Sequence, residues 1–213
     1  MKENYHVDEF PDAHIEETYE EILSFRALMY FIKRDFEKIN GRITPKKFLI
    51  SFLTEPGFKF VFWLRIARYF LLKGKKAIVP FILARFMLKH YSYKYEFDVS
   101  CHTQIGPGLS IAHIGYVVAA ATKIGSNCFL RPGVVIGKNL TDEGFTPIIG
   151  DNVHFGVGCK VIGSTTIGNN VVIGANSVVT HDVPSNTIVA GIPARPIKVL
   201  DSIVVHPTGE ENK

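Results

Sequence analysis

From Asp98 onward the chain keeps a six-residue beat, and few folds can hold such a pattern. An apolar residue stands at Ile105, Ile111, Val118, Ile124, Leu130, Ile136, Ile149, Phe155, Val161, Ile167, Ile173 and Val179. The step is six, except for one extra residue between Ile111 and Val118 and a longer insertion between Ile136 and Ile149. Hydrophobic residues are 46% of the chain, so an unbroken series of apolar guide positions is not a composition effect. Glycine follows the guide at Gly106, Gly125, Gly137, Gly150, Gly156, Gly168 and Gly174, and the fifth place is small or β-branched, as at Cys128, Val134, Cys159, Thr165 and Ser177. Helical spacing is absent here. The pattern fits a solenoid of short parallel strands in which each unit makes one side and one corner of a triangular coil. Glycine then supplies corner angles that a Cβ would penalise. Small fifth residues fit inside the prism, and stacking of about four coils provides the stability that no single coil has.

The first part of the chain has another texture. Residues 1–40 carry 5 basic and 10 acidic side chains, residues 41–95 carry 12 and 1, and residues 96–213 carry 7 and 9. Helix formers from Glu16 to Leu23, with Ile22, Phe25, Met29 and Ile32 at helical spacing, predict a first helix that stops at Asn40-Gly41. Thr44-Pro45 starts another, and Pro56-Gly57 and Lys73-Gly74 interrupt the rest. The expected organisation is a helical region over 1–96, a β-solenoid over 97–200 and a tail over 201–213. Cys101, Cys128 and Cys159 fit neither a disulfide scaffold nor zinc spacing, and no histidine set has metal-ligand spacing. No secretory signal and no membrane span is predicted, so the cytoplasm is the expected location.

The beat, with the ending Asn176-Ser177-Val178-Val179-Thr180-His181-Asp182-Val183-Pro184 and Ala190-Gly191-Ile192-Pro193-Ala194-Arg195, resembles the left-handed parallel β-helix of the hexapeptide-repeat acetyltransferases. The resemblance covers residues 98–200 and implies acetyl-CoA as co-substrate, no metal, and a homotrimer with active sites between subunits. In the serine acetyltransferase branch, a "DHxxG" histidine is the general base, and an aspartate lies fifteen residues before it. Ala112-His113-Ile114-Gly115 and Asp98 are similar in frame and spacing. The resemblance therefore implies His113 as base and Asp98 as the carboxylate that orients it. The acetyl-CoA contacts of the galactoside and xenobiotic branch fall on Val157 and Ala175 for the pantetheine amides. They fall on Thr180 and His181 near the adenine, and on Arg195 and Lys198 for the phosphates.

The acceptor is read from the insertion. The serine enzymes carry "RHP" where this chain has Phe145-Thr146-Pro147, and Asp142 and Glu143 would repel a carboxylate. Phe145, Thr146 and His154 are thus expected to line a cleft for a sugar hydroxyl, as in the acetylation of a lipid-linked surface polysaccharide such as capsule or O-antigen. The alternatives are a serine O-acetyltransferase, an amino-sugar N-acetyltransferase, and a non-catalytic β-helix scaffold. Residues 41–95 are basic and aromatic but lack a nucleic-acid motif. The helix with Phe58, Phe60, Phe62, Trp63 and Phe70 beside Lys59, Arg65, Arg68 and Lys73 reads as an interfacial membrane helix, or as one that packs internally.

Overall fold

The structure is a computed structural model that describes residues 21–121, 123–139 and 146–200. Among these residues four α-helices lead into a left-handed parallel β-helix. They are α1 (Phe25–Asn40), α2 (Pro45–Thr54), α3 (Pro56–Leu72) and α4 (Ile78–Tyr95). The sequence signals explain most of their ends. The Ser24 hydroxyl accepts from the Ala27 N–H at 3.0 Å to cap α1, and the Thr44 hydroxyl accepts from the Lys47 N–H at 3.3 Å to cap α2. Gly41, at φ 64°, ends α1. The first helix begins later than expected: Glu21–Ser24 is not helical, and Glu16–Glu20 lies outside the described residues. Its inner face is also rotated, with Leu28, Phe31, Ile32, Asp35 and Phe36 buried and Phe25 and Met29 exposed.

The β-helix winds in short strands. Its first coil is β1 (Phe97–Val99), β2 (Gln104–Ile105) and β3 (Ser110–Ile111), and its second is β4 (Val117–Ala119), β5 (Lys123–Ile124) and β6 (Phe129–Leu130). Next come β7 (Val135–Gly137), β8 (Ile148–Ile149) and β9 (His154–Phe155), then β10 (Lys160–Ile162), β11 (Thr166–Ile167) and β12 (Val172–Ile173). It ends on β13 (Val178–Val179), β14 (Thr187–Gly191) and β15 (Ala194–Val199). Three parallel faces result: β1-β4-β7-β10-β13, here face A; β2-β5-β8-β11, face B; and β3-β6-β9-β12-β14, face C, which the antiparallel β15 extends. Faces A and C each stack five parallel strands, one more coil than the beat suggests.

The interior is built as the sequence predicts, with two corrections. Ile124, Leu130, Ile136, Val161 and Ile167 are fully buried, as are the fifth-place Cys128, Val134 and Cys159. In the second coil, however, Val117 and Ala119 point inward and Val118 does not, because Ala119 pairs with Ile136. The corner before β4 thus holds more extra chain than the beat shows. The second correction concerns the glycines. The left-handed angle does not fall on the glycine after the guide, but on residues such as Gly133, Asn152, Gly158, Asn170 and Asn176. A Cβ on Gly106 would instead lie 2.6 Å from the Ser126 nitrogen of the next coil, so that glycine serves close stacking. The side chains of Asn152, Asn170 and Asn186 form a ladder of amide hydrogen bonds at 2.9 Å down one corner.

Helices α1 and α3 close the first coil. Arg65 of α3 is buried, with its Nε 2.8 Å and one Nη 3.0 Å from the Asp35 carboxylate of α1. The same guanidinium donates to the Ile105 and Gly106 carbonyls at 2.7 Å each, while Asp35 accepts from the Gly108 and Leu109 N–H groups at 2.8 Å. Its face lies 4.9 Å from the Phe31 ring centroid. Gly57 lets α3 approach closely, since a Cβ there would strike the Ile111 carbonyl. The interfacial reading of α3 is therefore corrected: Phe58, Phe60 and Arg65 are buried, and Arg68 donates to the His102 carbonyl at 2.9 Å. A cation in an apolar helix here ties the helix to carbonyls at the edge of the solenoid rather than facing lipid. Breaking the pair by Asp35→Ala strands a buried charge and is expected to lower unfolding free energy by about 3–5 kcal/mol. Urea denaturation followed by circular dichroism measures this, and a change under about 1 kcal/mol would show that the pair is not the anchor.

Candidate functional site

The sequence-predicted residues map onto edges of the prism. His113, Val157 and Ala175 fall on one edge, between faces C and A. Each stands two residues after the end of its face C strand, at Ile111, Phe155 and Ile173, and Pro132 completes the column after Leu130. The Ala112 N–H donates to the Leu130 carbonyl at 3.0 Å, the Gly158 N–H to Pro132 at 2.9 Å and the Asn176 N–H to Val157 at 2.8 Å, so the column is stitched by backbone bonds. His113 has φ 60°, in the left-handed region that Gly133, Gly158 and Asn176 occupy on the same edge above it. Holding a histidine there costs more than holding glycine, and such positions cluster at functional sites. Its side chain is exposed.

Asp98 lies on β1, with its Cα opposite Val118 of β4, and its side chain is exposed. It lines a groove against α4 with Arg85, Lys89 and Ser92. Among the described residues no hydrogen bond joins Asp98 to His113. Thr180 and His181 follow β13 on the edge between faces A and B, where the Thr180 hydroxyl and His181 Nδ1 are 2.9 Å apart. Arg195 and Lys198 are exposed on β15, opposite Ala190 and Ile188. The exposed cations suit phosphate, and Val157 on the C–A edge is open to an amide-bearing chain, so the residues present fit acetyl-CoA. Phe145 lies outside the described residues, and Thr146 just within them.

His154 projects from face C. Its ring centroid is 6.0 Å from that of Phe129, its neighbour on the adjacent strand. The Arg131 guanidinium lies over the Phe129 ring, 5.3 Å from its centroid. Burial lowers the His154 pKa below the ordinary imidazole value of about 6.5, and the charges of Lys38, from the last turn of α1, and Arg131 lower it further. Burial likewise lowers the Lys38 pKa. Sequence reasoning did not single out Lys38, Phe129 or Arg131. One signal was present: where most guide residues are followed by glycine, Leu130 is followed by Arg131. Cys128 and Cys159 are not nucleophiles, since burial raises both thiols to about 12. Among the described residues no three His, Cys, Asp or Glu side chains cluster as a metal site.

Residues 146–181 match the family described as bacterial transferase hexapeptide (six repeats). These residues carry the repeat of the hexapeptide transferases. It is 38% identical over 138 residues to a serine acetyltransferase of Staphylococcus xylosus, a match that covers 64% of this chain and 62% of that protein. The chain thus spans about three fifths of that relative's length. The crystal structure of Neisseria gonorrhoeae serine acetyltransferase in complex with serine superposes with a TM-score of 0.68 at 28% identity, covering 83% of this chain and 72% of that one. A serine acetyltransferase in complex with CoA gives a TM-score of 0.65 at 26% identity, over 81% and 71% of the two chains.

These relatives correct the expectation of a sugar acceptor in surface-polysaccharide synthesis. That reading weighed only the charges of the insertion around Phe145. It could not see cations that other elements bring to face C. The lowered His154 pKa has a thermodynamic consequence. The folded state resists protonating this imidazole, so its contribution is intact above about pH 6.5 and is lost as the pH falls through the lower folded value. His154→Gln is expected to flatten the loss of stability between pH 7.5 and about 5 relative to the unaltered protein. Parallel urea titrations at the two pH values check this; identical pH dependence would remove His154 from the account.

Proposed function

We propose that the protein transfers the acetyl group of acetyl-CoA to the hydroxyl of L-serine, giving O-acetylserine and CoA. The likeness to serine acetyltransferases in both sequence and fold carries this reading. His113 takes the hydroxyl proton as the serine oxygen attacks the thioester carbonyl, and returns a proton to the departing sulfur. Asp98 acts as its partner and stabilises the imidazolium. The β1–β4 register supports this, because it keeps Asp98 one strand away from the segment that His113 leads into. Exposed backbone at Val157 and Ala175 binds the pantetheine arm, while Thr180, His181, Arg195 and Lys198 receive the nucleotide end. A homotrimer completes the site, with these edges meeting between neighbouring subunits.

Positioned general-base catalysis contributes about 10²–10⁴-fold, so His113→Ala is expected to lose at least ~10²-fold in kcat with L-serine. Asp98→Asn is expected to lower kcat, because the imidazole loses the carboxylate that orients it. Thiol release measured with L-serine and acetyl-CoA checks both. Near-normal turnover in His113→Ala would end the assignment, and no turnover with L-serine in the unaltered protein would end the serine reading.

A peripheral contact with anionic lipid is a second element of the proposal. It is supported by α4, whose Ile78, Val79, Ile82, Leu83 and Phe86 are all exposed. Lys75 and Lys76 precede this stripe and Arg85 and Lys89 accompany it, without a carboxylate on the helix. Such a face inserts shallowly while its cations meet lipid phosphates, each adding about 1 kcal/mol. No helix among the described residues is long and apolar enough to cross a membrane. In flotation the protein is expected to rise with phosphatidylserine vesicles at low salt, and Phe86→Glu with Ile82→Glu is expected to leave it at the bottom. Equal recovery of the two proteins would defeat the contact.

A further inference from the structure

Face C carries a cationic patch beside the edge that holds His113. Arg131 directly follows Leu130, whose carbonyl accepts the Ala112 N–H, so Arg131 sits one coil above the Ala112-His113 pair. It is exposed and laid over Phe129, which in turn neighbours His154. Lys38 arrives from α1, and is half-buried. Its backbone lies one helical turn after Asp35, whose carboxylate is fixed by Arg65 and by the Gly108 and Leu109 N–H groups. The anchor therefore sets where Lys38 stands.

Three features distinguish this patch from an ordinary solvated surface. None of the ion pairs among the described residues includes Lys38, Arg131 or His154. Nearby acids are engaged elsewhere: Glu37 with Lys33 and Arg34 at 3.7 and 3.8 Å, and Asp151 with the Ser126 N–H at 2.6 Å. The Arg131 guanidinium lies over the Phe129 ring, and its planar fork suits a carboxylate.

We propose that Arg131 and Lys38, on the Phe129–His154 floor, form a subsite for the carboxylate of the amino-acid acceptor. This rests on the serine reading above and supplies what that reading lacks, a donor fork for the acid head. Arg131 takes the carboxylate through paired N–H donors and Lys38 adds a point charge. The hydroxyl end then extends along the corner toward His113.

The test compares L-serine with L-serinamide, which keeps the hydroxyl and amine but lacks the carboxylate. The unaltered protein should prefer L-serine in kcat/KM. In Arg131→Gln that preference should shrink at least ~10-fold, the size of one charged hydrogen bond. Arg131→Lys should recover part of it, and Lys38→Gln should show a smaller loss. KM for acetyl-CoA should not follow the same order across the variants. Thermal melts report folding, and should Arg131→Gln not fold, Arg131→Lys and Lys38→Gln decide on the same readout. If the unaltered protein acetylates L-serine and the variants keep its full preference, the subsite is wrong while the serine reading stands. If the unaltered protein does not acetylate L-serine, both fall together.

Discussion

Asp35 and Arg65 form a pair whose charges have left water and whose hydrogen-bonding groups are satisfied by each other and by the first coil. Arg65 reaches the Ile105 and Gly106 carbonyls, and Asp35 the Gly108 and Leu109 N–H groups. Desolvating two charges is expensive and is offset only when geometry and additional hydrogen bonds are as complete as they are here. The pair gains specificity from this. Helices α1 and α3, which hydrophobic packing alone would let slide, are held in a single register on the open end of the solenoid.

The consequence runs outward from that contact. With Asp35 fixed, the last turn of α1 delivers Lys38 to the flank of face C, where its charge acts on His154. With Gly57 against Ile111, α3 covers Ser110 and leaves the next residues, Ala112 and His113, at the rim. The helical region is thus more than a cover for the first coil. It packs on β1 and β3 of the first coil, at the end of the edge on which His113 stands.

Much of this was legible in the residues, and the misses have physical causes. The six-residue beat identifies the solenoid because every coil repeats the same inward position, and Cys128, Cys159 and Ser177 read correctly as interior. The slip at Val118 arises where the corner holding His113 carries extra chain: the interior shifts to Val117 and Ala119, and a fixed step cannot follow it. The corner glycines were legible as necessary but not for the right reason, since close approach between coils leaves no trace distinct from a left-handed angle. Arg65 read as an interfacial cation because its partners, Asp35 and the carbonyls of the first coil, are remote in sequence. The acceptor reading erred for the same reason. It examined one loop for a donor fork, whereas Lys38 and Arg131, whose charges both act on His154, lie outside that loop and far apart in sequence. By contrast, the edge shared by His113, Val157 and Ala175 follows from the period itself.

The most direct measurement of the account is a crystal structure of the protein with L-serine bound. The account predicts the serine hydroxyl within about 3 Å of a His113 ring nitrogen at the edge between faces C and A, with the carboxylate on Arg131. Serine bound on another edge, or held at face C with its hydroxyl beyond the reach of His113, would contradict it.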